Sequence, residues 1–198
     1  MSSDSETIRA YDEGAAGFAR EWEDDQAPPD DLRETVGRFF SAGPTIDVGC
    51  GSGRDTAWLA EQGFDVIGVD AAAGLLAEAR RRHPGVRFEK DALPGLETLA
   101  AGAFANVLCE TVIMHLPPEL IPGAVGRLME LLRPKGVLYL SWRVTEGASK
   151  RDAAGRLYAA FEPATVTDAL SGAEVLFDER RVSASSKKVV HRIVARRP

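Results

Sequence analysis

A chain of 198 residues, 44% hydrophobic and 27% charged, has the length and composition of one globular domain, which excludes a disordered polymer. Its net charge of −6 argues against non-specific nucleic-acid binding, and no run approaches the ~18 apolar residues of a membrane span. Two cysteines, Cys50 and Cys109, and three scattered histidines at 83, 115 and 191 offer no zinc-ligand spacing.

The first stretch, MSSDSETIRAYDEG, is polar and acidic and lacks the apolar core of a signal peptide, so a cytoplasmic, reduced and metal-free protein is expected. From residue 5 to 25, Ile8, Tyr11, Ala15, Phe18 and Trp22 recur at steps of 3, 4, 3 and 4, which predicts a helix with one apolar face. Gly14 and Gly17 each weaken it by roughly 1 kcal/mol relative to alanine. Asp24-Asp25 and then Pro28-Pro29 end it. A second helix is predicted from Asp30 as N-cap through Leu32, Val36, Phe39 and Phe40, stopped by Gly43-Pro44. The aromatic face of the first helix suits either core packing or a lid over a site.

Thr45 to Ala60, TIDVGCGSGRDTAWLA, then reads as a short buried strand, a loop with glycine at every second position (Gly49, Gly51, Gly53), and a helix. Such a loop lets a ligand lie against the backbone, and the helix aims its unpaired N–H groups and positive dipole end at it. The dinucleotide fingerprint G-x-G-x-x-G does not fit, because the sixth position is Arg54 counted from Gly49 and Thr56 counted from Gly51.

Strands and helices alternate from here. Ile46–Val48, 64–69, Val86–Glu89, Phe104–Cys109 and Gly136–Trp142 read as strands. Between them, Arg54–Gln62, Ala72–Arg82, a short Leu96–Ala101 and a segment from Pro117-Pro118 through Ile121, Val125, Leu128 and Leu132 read as helices. This alternation predicts an α/β, doubly wound, mostly parallel sheet with helices on both faces and right-handed crossovers. Ligands in such sheets sit beyond the strands' carboxyl ends, at the switch in strand order. After Trp142 the pattern changes to a polar, basic stretch, a helix over Ala164–Leu170, and two strands, Glu174–Val182 and Lys187–Ala195, forming a terminal antiparallel hairpin.

The segment Asp47-Val48-Gly49-Cys50-Gly51-Ser52-Gly53 resembles motif I of the class I (Rossmann-like) S-adenosylmethionine-dependent methyltransferases, and the likeness runs over about residues 44–195. It implies a seven-stranded sheet closing in a C-terminal antiparallel hairpin, within a single domain. Residues 1–43 would form a helical lid segment, 44–143 the cofactor-binding core, and 144–198 the substrate-side helices and hairpin. The resemblance implies S-adenosylmethionine as cofactor, S-adenosylhomocysteine as product and a small-molecule acceptor. Neither membrane nor nucleic acid is an expected partner, and the chain is expected as a monomer or homodimer.

Candidate site residues follow from both readings. Asp70 ends the second strand, where a carboxylate can accept two hydrogen bonds from a ribose diol or cap the following helix. Asp91, followed by the free N–H of Ala92, offers the acceptor beside a donor that an adenine edge needs, or else a turn before Pro94. Asp47 inside an apolar strand needs a hydrogen-bonded partner, and the resemblance turns it toward the cofactor's amino group. The same resemblance lays Gly49, Cys50 and Gly51 along the cofactor, with Ala71 beside Asp70. Arg54 stands at a helix start, where a cation opposes the dipole and is expected to pair elsewhere. By resemblance, the start YDEGAAGFAREW folds over the site, with Tyr11 toward the cofactor and Phe18 toward the acceptor. Cys109–Pro117 would close the methionine end through Glu110, and His115 stands there as a cofactor-pocket residue, a structural turn residue or a general base. Arg143, with Lys150 and Arg151, suits an anionic acceptor or a solvated face. Two rival classes stay open: an NAD(P)-dependent oxidoreductase, and a non-catalytic cofactor-binding protein on the same fold.

Overall fold

The computed structural model describes residues 3–198. One seven-stranded sheet runs through the molecule. Its first five strands are parallel: β1 (Pro44–Val48), β2 (Asp65–Asp70), β3 (Arg87–Lys90), β4 (Phe104–Cys109) and β5 (Leu132–Arg143). A two-stranded ribbon, β6 (Lys150–Arg151) and β7 (Leu157–Tyr158), stands apart. The terminal hairpin, β8 (Glu174–Val182) and β9 (Val189–Arg196), completes the sheet in the order β3-β2-β1-β4-β5-β9-β8, with β9 antiparallel to β5. The β1–β2, β2–β3 and β4–β5 crossovers each carry an α-helix, whereas the β3–β4 crossover carries none.

Two cores follow from strand alternation. On one face Ile46, Val107, Leu138 and Leu140 pack with Ile121, Val125 and Leu128 of helix α6 (Ile121–Leu131) and Val166 of α7 (Ala164–Ala169). On the other, Val66, Leu108, Tyr139 and Val194 pack with Leu32 and Val36 of α3 (Asp30–Phe39) and Leu59 of α4 (Arg54–Glu61). Helix α5 (Ala73–Arg82) covers the β2–β3 edge through Leu76 and Ala79, which pack with Phe88 of β3. A buried ion pair joins α3 to β9: Arg192 Nη2 donates to Asp31 Oδ2 at 2.6 Å, with both side chains at most 2% exposed.

Several boundaries differ from the sequence reading. The N-terminal helix breaks into α1 (Ser5–Glu13), α2 (Ala15–Arg20) and a wide π-helical turn at Glu21–Asp25. The break lies at Gly14, where a Cβ would stand 2.7 Å from Cε2 of Phe18, so the missing side chain is what lets that ring fold against the backbone. Asp30 lies inside α3 behind Pro29 and does not cap it, whereas Asp4 caps α1 by accepting from Thr7 N at 3.0 Å. No helix forms at 96–101, because Leu96 takes a left-handed φ of +46° and Asp91 Oδ2 accepts the amide and hydroxyl of Thr98. Strand β5 begins four residues earlier than expected, at Leu132, and the hairpin loop spans 183–188, closed by Ser183 N donating to Lys188 O at 2.8 Å.

Candidate active site

The carboxyl ends of β1 and β4 lie side by side where the winding reverses, and a cavity of about 340 Å³ opens there. That volume suits a small-molecule site. Strand β1 stops at Val48 and the chain turns at once through Gly49 and Gly51, at φ +76° and +56°. A Cβ on Gly49 would meet Val112 Cγ2 at 2.3 Å, and one on Gly51 would meet the Trp22 ring at 3.0 Å. The loop therefore needs glycine for conformation and for clearance from two separate elements. Gly49, Cys50, Gly51 and Ser52 form one wall of the cavity, and the buried Ser52 hydroxyl has no hydrogen-bond partner among the described residues.

Asp70 ties that loop to the next unit. Its Oδ2 accepts Gly51 N–H at 2.9 Å, and its Oδ1 accepts Ala72 N–H at the start of α5 at 2.8 Å. Each oxygen keeps a second lone pair, and Asp70 and Ala71 line the cavity. Burial raises the Asp70 pKa, while the backbone bonds from Ala72 and Gly51 oppose it. Asp91 and Ala92 line the same cavity. Asp91 accepts from Thr98 through Oδ2 and from Ala92 N at 2.7 Å through Oδ1. The Ala92 amide is thus engaged within its own turn, and the acceptor-beside-free-donor pair expected for adenine is not formed. Burial pushes the Asp91 carboxyl up, but the hydroxyl and amide bonds of Thr98 outweigh it and hold the pKa below the usual value.

Asp47 stands behind the loop and does not line the cavity; its Oδ2 accepts the Thr56 hydroxyl at 2.6 Å. Burial pushes its carboxyl up to about 7. Arg54 pairs with Asp55 at 3.0 Å and donates to Trp22 O at 3.1 Å, so it clamps the N-terminal segment against the loop.

Beyond β4, Ser141 on β5 joins two cavity-lining residues. Its hydroxyl donates to Glu110 Oε2 and accepts Thr111 N–H at 3.0 Å. Thr111 is held at φ +54°, a strained value that these bonds enforce. Burial raises the Glu110 pKa against that Ser141 bond and the positive charge of Arg192.

His115 has both ring nitrogens engaged. Nδ1 donates to Leu157 O at 2.5 Å, which leaves Nε2 to accept the Tyr11 hydroxyl at 2.9 Å. Burial lowers its pKa to about 4, so the ring is neutral at pH 7. Tyr11, Phe18 and Trp22 pack as one cluster, with centroids 5.2 Å apart for Tyr11–Phe18 and 5.5 Å for the stacked Phe18–Trp22 pair. Tyr11 and Trp22 line the cavity; Phe18 does not, because its ring takes the Arg156 guanidinium at 4.5 Å. Arg143 lines the cavity and stands 4.9 Å from the Tyr158 ring centre.

Residues 46–136 match a family described as "Methyltransferase domain". A trans-aconitate 2-methyltransferase of Deinococcus radiodurans is 35% identical over 115 residues, covering 57% of this chain and 42% of that protein. A ubiquinone biosynthesis O-methyltransferase of Psychrobacter cryohalolentis is 32% identical over 118 residues, covering 56% of this chain and 45% of its own. The matches thus span less than half of these relatives' own length. The fold is similar to that of the Burkholderia thailandensis 1,6-didemethyltoxoflavin-N1-methyltransferase, solved with its substrate and S-adenosylhomocysteine. That likeness has a TM-score of 0.75 and 22% identity, over 98% of this chain and 88% of the other. Residues 46–136 are thus similar to methyltransferase domains.

The tertiary structure adds cavity residues that the sequence left aside. Trp22 was legible as an aromatic at helical spacing, but its seat over Gly51 was not. Tyr158 arrives on a two-residue strand with no pattern of its own, and Arg156 sat in a basic run. The hairpin loop, through Ser183, Ser185, Ser186 and Lys188, comes from about 130 residues beyond the glycine loop.

Proposed function

We propose that the protein transfers a methyl group from S-adenosylmethionine to a small-molecule acceptor and releases S-adenosylhomocysteine. The observation that carries this reading is Asp70: a cavity-lining carboxylate fixed by Gly51 and Ala72 amides at the switch point, with a lone pair left on each oxygen for a vicinal diol. The residues present suit the group in other respects too. The glycine loop offers a wall without side chains, and the unpartnered Ser52 hydroxyl offers a polar contact.

When bound, the cofactor supplies a sulfonium-activated methyl group open to in-line displacement. The protein's part is alignment and exclusion of water. Asp70 would hold the ribose, and Gly49–Gly51 with Glu110 would line the amino acid end. Val112, Met114 and Tyr11 would supply apolar wall. Asp91 serves its own turn through Thr98 and Ala92, and its contact with a nucleobase would require the Ala92 amide to change partner. Neutral His115 holds the Tyr11 hydroxyl and acts as a positioning residue. In this reading residues 1–43 form the lid, 44–143 hold the cofactor and 144–198 face the acceptor. A cytoplasmic setting agrees with two buried, unpaired cysteines.

Calorimetric titration with S-adenosylmethionine, S-adenosylhomocysteine and NADH tests the reading, with Asp70→Ala alongside. Both sulfur nucleosides should bind, and the variant should weaken them by roughly 10- to 150-fold. Binding of NADH alone would overturn it.

A further inference from the structure

The cavity wall is divided by charge. Carboxylates stand at or just past the ends of β2, β3 and β4 (Asp70, Asp91 and Glu110), with Asp55 in the first turn of α4 paired to Arg54, and Asp4 and Glu21 on the N-terminal segment. Cations stand on the opposite side, supplied by later elements: Arg143 at the end of β5, Arg156 before β7 and Lys188 in the hairpin loop.

These cations differ in how their charge is used. Arg156 is neutralised by Asp152 at 2.7 Å, and Arg151, outside this cavity, by Asp4 at 2.8 Å and Glu6 at 3.2 Å. Arg143 and Lys188 have no carboxylate within 4.0 Å among the described residues. Arg143 is also only partly exposed, so water screens it incompletely. Its guanidinium stands 4.9 Å from the centre of the buried Tyr158 ring, which fixes the group in place without satisfying its in-plane donors. The hydroxyls of Ser185 and Ser186 border the same space. A fixed guanidinium with unspent donors, beside serine hydroxyls and a lysine, is the donor set of an oxyanion site.

We propose that the acceptor is a small molecule with an apolar body and one anionic group, carboxylate or phosphate, and that Arg143 binds that group with help from Lys188 and the hairpin serines. This deepens the methyl-transfer reading and rests on it. Tyr158, Val112 and Val190 supply apolar wall for the body. The division of charge separates the two ligands: the carboxylate side suits a cationic sulfonium and ammonium, and the cationic side suits an anion. Arg151 and Lys150, which the sequence grouped with Arg143, do not line this cavity.

The test uses the whole chain saturated with S-adenosylhomocysteine and three probes of one shape: benzoate, phenyl phosphate and benzyl alcohol. Benzoate or phenyl phosphate should bind roughly tenfold or more tightly than the alcohol, and the better of the two identifies the group. Arg143→Gln should erase that preference while leaving S-adenosylhomocysteine affinity and melting temperature unchanged, and Arg143→Lys should restore part of it. Equal binding of all three, no binding of any at millimolar concentration, or an unchanged preference in Arg143→Gln would overturn the inference and leave the cofactor reading standing. Failure of S-adenosylhomocysteine to bind would overturn both.

Discussion

Two buried groups beside the cavity titrate in opposite senses. Asp47 has a folded pKa of about 7 against an ordinary 3.8, so its contribution to stability is complete below pH 4 and is lost as pH rises through 7. His115 has a folded pKa of about 4 against 6.5, so its contribution is complete above pH 6.5 and is lost as pH falls through 4. Asp47 spans about 4 kcal/mol and His115 about 3 kcal/mol between their limits, and over pH 4 to 6.5 they nearly cancel. Stability profiles by urea denaturation should separate them. Relative to the parent chain, Asp47→Asn should lose stability as pH falls from 7 to 4, because the His115 slope then stands unopposed. His115→Gln should do the reverse. Parallel profiles for the parent and both variants would refute these environments. Neither effect is visible in sequence: Asp47 announces only a polar residue in an apolar strand, and His115 only a histidine in a loop. Their surroundings come from Thr56, Leu157 and Tyr11.

The joint between α3 and the terminal hairpin depends on one buried charge pair. Asp31 Oδ2 accepts from Arg192 and also from Ala184 N at 3.1 Å, so it holds both a strand and the hairpin loop. Arg192 further donates to Tyr139 at 3.0 Å. Removing one partner strands the other charge in the core. Asp31→Ala should cost about 3–5 kcal/mol in urea denaturation, and Asp31→Ala with Arg192→Met should recover most of it. A loss below about 1 kcal/mol in the single variant would contradict the arrangement. The pairing was not legible beforehand, because Asp31 and Arg192 lie at opposite ends of the chain and neither stands in a motif. The elements themselves were legible wherever hydrophobic period and punctuation agreed, as in β4 and α5.

Across the whole molecule, the N-terminal helices are attached to the rest of the fold by contacts of different chemistry. Asp12 Oδ1 accepts Gly74 N at 2.7 Å, Arg54 holds Trp22 O, Tyr11 meets His115, and Asp4 pairs with Arg151. These contacts are mostly polar, so the segment should open at lower free energy than the sheet. If it closes over the cofactor, S-adenosylhomocysteine should slow amide exchange in residues 5–25 more than in β4. A uniform change, or none, would reduce the segment to packing.

By itself the sequence determined the alternating architecture, the strand–glycine–helix junction and the acidic residues at successive strand ends. These are local patterns: they depend on periodicity, on glycine's freedom at positive φ and on spacing within one β–α unit. Only the tertiary structure decided that Trp22 roofs the glycine loop, that Asp91 serves its own turn, that Phe18 turns away from the cavity, and that Arg143 faces it without a counter-charge among the described residues. Those outcomes depend on which distant side chain arrives first at a donor, an acceptor or a ring face, and no local spacing encodes that competition.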